Sequence, residues 1–69
     1  MSDENFNMSL RKFLKTVGVT SQQEIEAAVR AARDAGTLPA GSLKATAVIT
    51  LEGVSLNHEI VGQISTDQD

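Results

Sequence analysis

The chain contains no cysteine, no tryptophan and no tyrosine, and it has one histidine among its 69 residues. The lack of cysteine excludes disulfides and thiolate metal sites, and a lone histidine cannot form a multi-histidine site. A chain this short buries only about 60% of its unfolded surface, so small domains commonly add a disulfide, a metal or a partner subunit. We therefore expect one small domain, residues 1–69, with frayed ends at 1–4 and 65–69. Of the usual ways to stabilise so small a domain, association with another chain is the one that the sequence leaves open.

Long apolar runs and targeting signals are also missing. No segment approaches the roughly 20 apolar residues of a membrane span. The polar start at Ser2–Asn5 lacks the basic and apolar regions of a signal peptide. The net charge of −3 disfavours nucleic acid as a general partner, because phosphate binding relies on a basic surface. With the absence of cysteine, these features predict a cytoplasmic protein with no membrane partner.

The first half of the chain has helical periodicity. Its first apolar residues recur three or four positions apart and share one helical face: Phe6, Leu10, Phe13, Leu14 and Val17. Gly18 matches a glycine that ends a helix, and Thr20–Glu24 contains capping-box patterns that start the next helix. We therefore predict two antiparallel helices, at about 6–17 and 21–35, the second ended by Gly36.

The second half alternates apolar and polar residues, which is typical of β-strands. We predict strands at about 43–51 and 54–64, joined by a two-residue turn at Glu52-Gly53. This register places Ile49 opposite Leu56 and Ala47 opposite His58; a three-residue loop with a bulge at Gly53 is the alternative. The predicted fold is α+β, with the two helices packed on a C-terminal antiparallel β-hairpin.

The two halves together predict a mixed hydrophobic core. Its expected members are the large apolar residues on the inward faces: Phe6, Leu10, Phe13, Leu14, Val17, Ile25, Val29, Leu43, Ile49, Leu51, Leu56 and Ile60.

Residues suited to catalysis are few. His58 is the one side chain with a pKa suited to acid–base work near neutrality, but its predicted position beside Ala47 suggests a packing role. Glu59 follows it and would point to the opposite face of the strand. No nucleophile has an evident base, the glycines form no phosphate loop, and the carboxylates lack calcium-loop spacing. We therefore expect no catalytic residue, cofactor, metal or small-molecule substrate.

Two exposed surfaces are candidates for protein interaction. One is basic and lies on the first predicted helix; the other lies on the polar face of the hairpin, whose open strand edges favour pairing with a second copy. The candidate residues are Arg11, Lys12, Lys15, Val48, Asn57, Glu59 and Val61. They suggest a non-enzymatic interaction or accessory protein whose partner is another protein or a second copy in a homodimer.

The alternative is a small DNA-binding regulator. Leu10–Arg33 resembles a helix-turn-helix, Gln22 and Gln23 could contact adenine, and the hairpin could act as a wing. Against this, Glu24 and Glu26 place negative charge on the proposed recognition helix, and the usual third helix is missing.

The segment Phe6–Val29, FNMSLRKFLKTVGVTSQQEIEAAV, resembles a family of short bacterial proteins of unknown function. The resemblance implies a helical start, a Gly-Val-Thr-Ser junction and a C-terminal hairpin in a small cytoplasmic protein. The family has no assigned activity, so no functional residue is transferred from it.

Overall fold

The computed structural model describes residues 3–66 and shows one helix followed by two strands. Helix α1 spans Asp3–Ala35, strand β1 spans Ser42–Thr50 and strand β2 spans Asn57–Ser65. The chain divides into two compact units, Met1–Leu38 and Pro39–Asp69. The fold is therefore α+β with an antiparallel hairpin. Of the residues predicted to be frayed, Asp3 and Glu4 lie within α1 and Ser65 lies within β2. Thr66 follows β2, and residues 1–2 and 67–69 lie outside the described residues.

The predicted break between two helices is absent, because α1 continues through Gly18 as one helix of 33 residues. The hydroxyl of Thr20, predicted to cap a second helix, instead donates to the carbonyl oxygen of Thr16 at 2.7 Å. A glycine inside a helix costs about 1 kcal/mol, whereas a break forfeits backbone hydrogen bonds and requires a second, unfavourable nucleation. The prediction of two antiparallel helices is therefore wrong.

The end of α1 follows the sequence prediction. Gly36 has φ of 74°, the left-handed conformation that glycine adopts without a Cβ penalty. Its N–H donates to the Arg33 carbonyl at 3.1 Å, and the N–H of Thr37 donates to the Ala32 carbonyl at 2.9 Å. These are the two bonds of a Schellman motif, which confirms Gly36 as the residue that ends the helix.

The hairpin has the predicted faces but not the predicted register. Ile49 lies opposite His58 and Ala47 lies opposite Ile60, a shift of two residues along β2. Because side chains alternate with a period of two, this shift leaves the residues that remain in the two strands on their predicted faces. The predicted cross-strand pairs are therefore wrong, while the division into an apolar and a polar face is confirmed.

The shift lengthens the connection to residues 51–56. The two-residue turns favoured in hairpins, types I′ and II′, both require a positive φ at the first central position, which here is Glu52. Gly53 has φ of 93°, and no non-glycine residue in the described range has a positive φ. Glu52 thus does not adopt the conformation that the shorter turn needs, and the strands are joined by a longer loop.

None of the residues 3–66 is buried, whether in α1 or in the hairpin. Four of the twelve expected core members are half-buried: Val17, Val29, Leu43 and Ile49. A single helix cannot cover its own apolar face, and a two-stranded sheet leaves both faces open. Neither α1 nor the hairpin by itself supplies the predicted core.

Candidate interaction surface

Helix α1 has one continuous apolar face, because the faces predicted for two helices join across Gly18. With 3.6 residues per turn, residues three or four positions apart line one side of the helix. We call this set the apolar stripe; its members are Phe6, Leu10, Phe13, Leu14, Val17, Ser21, Ile25, Ala28, Val29 and Ala32. Ser21, predicted to lie in a cap, joins the stripe because the helix is unbroken.

The large side chains of the apolar stripe are exposed. The exposed fraction is 52% for Phe6 and 50% for Phe13, and it is 45% for Leu14. Leu10 and Ile25 are each 41% exposed. Monomeric soluble proteins rarely expose large contiguous apolar patches, and such patches mark interaction sites. The stripe is therefore the candidate functional surface.

The opposite side of α1 is polar. Arg11, Lys12 and Lys15 lie there within little more than one turn, and all three are exposed. Two apolar residues, Met8 and Val19, also lie on this side, 69% and 48% exposed. Single apolar residues on a surface are normal, so they do not extend the stripe. The three basic residues thus lie together on the polar side of the helix, and a role for them in binding remains a prediction.

The polar face of the hairpin brings together the four other candidate residues. Val48 lies opposite Glu59, and Val61 lies opposite Thr46. Asn57 and Val61 flank Glu59 on the same face of β2 and are therefore diagonal neighbours of Val48. Val48 and Val61 are 55% and 52% exposed. The predicted register, with Ile49 opposite Leu56, would have placed Val48 opposite Asn57; the observed register makes these two residues diagonal neighbours. The role of this surface in binding remains a prediction.

His58 is not the core-filling residue that the sequence suggested. It lies opposite Ile49 rather than Ala47, and its side chain is exposed. The connecting loop also exposes three apolar residues that were predicted to lie in strands: Leu51 at 52%, Val54 at 62% and Leu56 at 42%. Sequence reasoning missed this loop because their alternation matched strand periodicity.

The helix-turn-helix interpretation has lost its structural basis. It requires a turn between two helices, and α1 is continuous over the whole of residues 10–33.

Two further classes of site are absent from the described part of the chain. Residues 3–66 contain no group of three His, Cys, Asp or Glu side chains placed to hold a metal ion. Within the same range, no helix combines the length and the apolar character needed to cross a membrane.

The comparisons with known proteins identify a family but no role. The profile of the Family of unknown function (DUF6494) matches residues 1–67. Searches of the curated proteins and of the solved structures gave no significant match. The resemblance to a family of unknown function is thus confirmed, and the family has no assigned function to transfer. Because the match spans nearly the whole chain, the protein belongs to the Family of unknown function (DUF6494).

Proposed function

We propose that this protein is a small, non-enzymatic, cytoplasmic interaction protein that works by packing the apolar stripe of α1 against another protein chain. The observation that supports the proposal is a helix of 33 residues in which no residue is buried, although large apolar side chains line one face. The lack of cysteine fits the reducing environment of the cytoplasm.

The energetic argument concerns the stability of the helix. Most helical stability in proteins comes from packing an apolar face rather than from intrinsic propensity. Fully burying a phenylalanine, leucine or isoleucine side chain contributes about 1.5–3 kcal/mol. Five such residues of the stripe are now 41–52% exposed, so covering them would stabilise α1 considerably.

The charges of α1 favour a protein partner over a membrane surface. Helices that lie on membranes are rich in lysine and arginine on the polar face. In α1, basic residues are matched by acidic ones, the latter being Asp3, Glu4, Glu24, Glu26 and Asp34. Such a balanced helix lacks the attraction to anionic lipids that membrane binding uses.

The polar face of the hairpin is the weaker candidate surface. Its apolar residues, Val48 and Val61, are separated by polar neighbours, with Glu59 directly opposite Val48. The apolar stripe has more large side chains and is longer. We therefore assign the main contact to α1, and self-association through the hairpin remains a secondary prediction.

The test compares two truncations of exposed apolar residues, Phe13→Ala in the stripe and Met8→Ala outside it. We expect a tagged chain in extract of its own cells to elute as an assembly heavier than its own 7.3 kDa. Phe13→Ala should weaken the assembly at least about tenfold, since losing a buried phenylalanine costs about 3–5 kcal/mol. Met8→Ala should elute like wild type, because Met8 lies on the polar side.

Elution is measured by size-exclusion chromatography with detection of the tag. Identical elution of wild type, Phe13→Ala and Met8→Ala would overturn the proposal, since the stripe would then have no role in binding.

A further inference from the structure

We infer that the surface covering the apolar stripe is the same stripe of a second copy, with the two α1 helices antiparallel. The inference rests on the proposed function and adds the identity and direction of the partner. Three features of α1 lead to it: the spacing of the stripe, the sizes of its side chains and the distribution of its charges.

The spacing of eight of the ten stripe residues, all except Leu14 and Val29, is the same in both directions. Their successive steps are four, three, four, four, four, three and four residues, through Phe6, Leu10, Phe13, Val17, Ser21, Ile25, Ala28 and Ala32. An antiparallel copy centred on Val19 therefore brings each of them level with another member of the set. Such matched layers are what knobs-into-holes packing of two helices needs.

Side-chain size distinguishes the antiparallel from the parallel arrangement. The bulky residues Phe6 and Leu10 lie at one end of the stripe, and Ala28 and Ala32 lie at the other. Parallel copies would crowd large side chains together at one end and leave a gap between alanines at the other. Antiparallel copies place Phe6 level with Ala32 and Leu10 level with Ala28, which keeps the helix separation even and the packing dense.

Charge has the same symmetry. Residues 3–18 of α1 carry three basic and two acidic side chains, whereas residues 19–35 carry two basic and three acidic ones. Antiparallel copies therefore place the net positive half of one helix beside the net negative half of the other, and parallel copies would place halves of like net charge side by side.

The test uses purified full-length chain carrying one introduced thiol, since the protein has no cysteine of its own. Leu10→Cys and Ala28→Cys are oxidised separately. They are also mixed, left until the two variants have exchanged subunits to form mixed dimers, and then oxidised together. Antiparallel pairing puts positions 10 and 28 level, whereas the two copies of position 10 would be about 27 Å apart along the helix. A disulfide needs Cα atoms about 4.4–6.8 Å apart.

We expect the mixture to give the mixed disulfide in about tenfold or greater excess over either disulfide between identical variants. A second pair, Phe6→Cys with Ala32→Cys, is also level in the antiparallel arrangement and leaves Leu10 in place. This pair should give the same result even if replacing Leu10 weakens association.

Two outcomes would overturn the inference. Efficient disulfide formation by Leu10→Cys alone would show parallel helices. A purified chain that sediments as a monomer and gives no mixed disulfide with either pair would show that the stripe binds a different protein. In that second case, Phe13-dependent assembly in cell extract would still support the proposed function, so the two failures are distinguishable.

Discussion

Replacing Gly18 with proline should destabilise the protein by about 3 kcal/mol or more, whereas Gly18→Ala should stabilise it by about 0.5–1 kcal/mol. Proline at this interior position removes a backbone hydrogen bond and clashes with the preceding turn. Alanine is expected to fit, because a Cβ built on Gly18 meets no atom within 4 Å and Gly18 does not have a positive φ. Alanine should raise the Tm by roughly 2–8 °C in a far-ultraviolet circular dichroism melt.

The sign of the alanine effect discriminates between one helix and two. If Gly18 ended a first helix in the left-handed conformation, alanine would cost about 1–2 kcal/mol instead. A lower Tm for Gly18→Ala than for wild type would therefore contradict the continuous helix and, with it, the continuous apolar stripe.

Two glutamates placed in the apolar stripe should abolish the assembly. Leu14→Glu with Ile25→Glu puts an uncompensated charge into the proposed contact at two levels. Leaving a charge buried without a partner costs about 3–5 kcal/mol, so the Kd should rise by at least about 100-fold. Sedimentation of the purified chain and size-exclusion chromatography of cell extract should both show loss of the heavier species.

The matched control is Thr16→Glu with Gln23→Glu. It adds the same charge to the same helix, at exposed positions on the polar side. Thr16→Glu removes one hydrogen bond, from the Thr16 hydroxyl to the Lys12 carbonyl at 3.0 Å. Exposed substitutions of this kind are usually worth less than about 0.5 kcal/mol. Equal loss of assembly in both double variants would show that charge, and not the position of the stripe, controls association.

The parts of the fold that could be predicted from sequence are those fixed by local chemistry. Gly36 ends α1 because the left-handed residue of a Schellman motif favours glycine. The two faces of the hairpin follow from alternation, which does not change when the register shifts by two. For the same reason the register could not be predicted: pairing Ile49 with His58 or with Leu56 satisfies the alternation equally well.

The continuity of α1 could not be read from its local signals. Gly18 followed by Thr20 and Ser21 matches both a helix end with a new cap and a continuous helix with back-bonded hydroxyls. The observed bond from Thr20 to Thr16 is the second of these. The deciding factor is the absence of proline and of further glycines around Gly18, which makes continuing the helix less costly than restarting it.

The candidate site shows the same limit. An apolar helix face indicates that another surface packs against it. The sequence prediction took that surface from the hairpin of the same chain. Phe6, Phe13 and Leu14 are exposed, so α1 by itself does not bury them. Amphipathic periodicity does not indicate whether an apolar helix face is covered by the same chain or by another one. That the stripe is continuous follows only from the bounds of α1, Asp3–Ala35.

The most direct test of the proposal that α1 depends on a covered stripe is a dilution series of the purified wild-type chain. Mass is measured by sedimentation equilibrium and helix content by circular dichroism at each concentration. A self-covered stripe predicts a two-chain mass at high concentration, with helix content falling as the mass falls towards 7.3 kDa. A monomer that keeps full helix content at every concentration would contradict it, because α1 would then be stable with its stripe exposed.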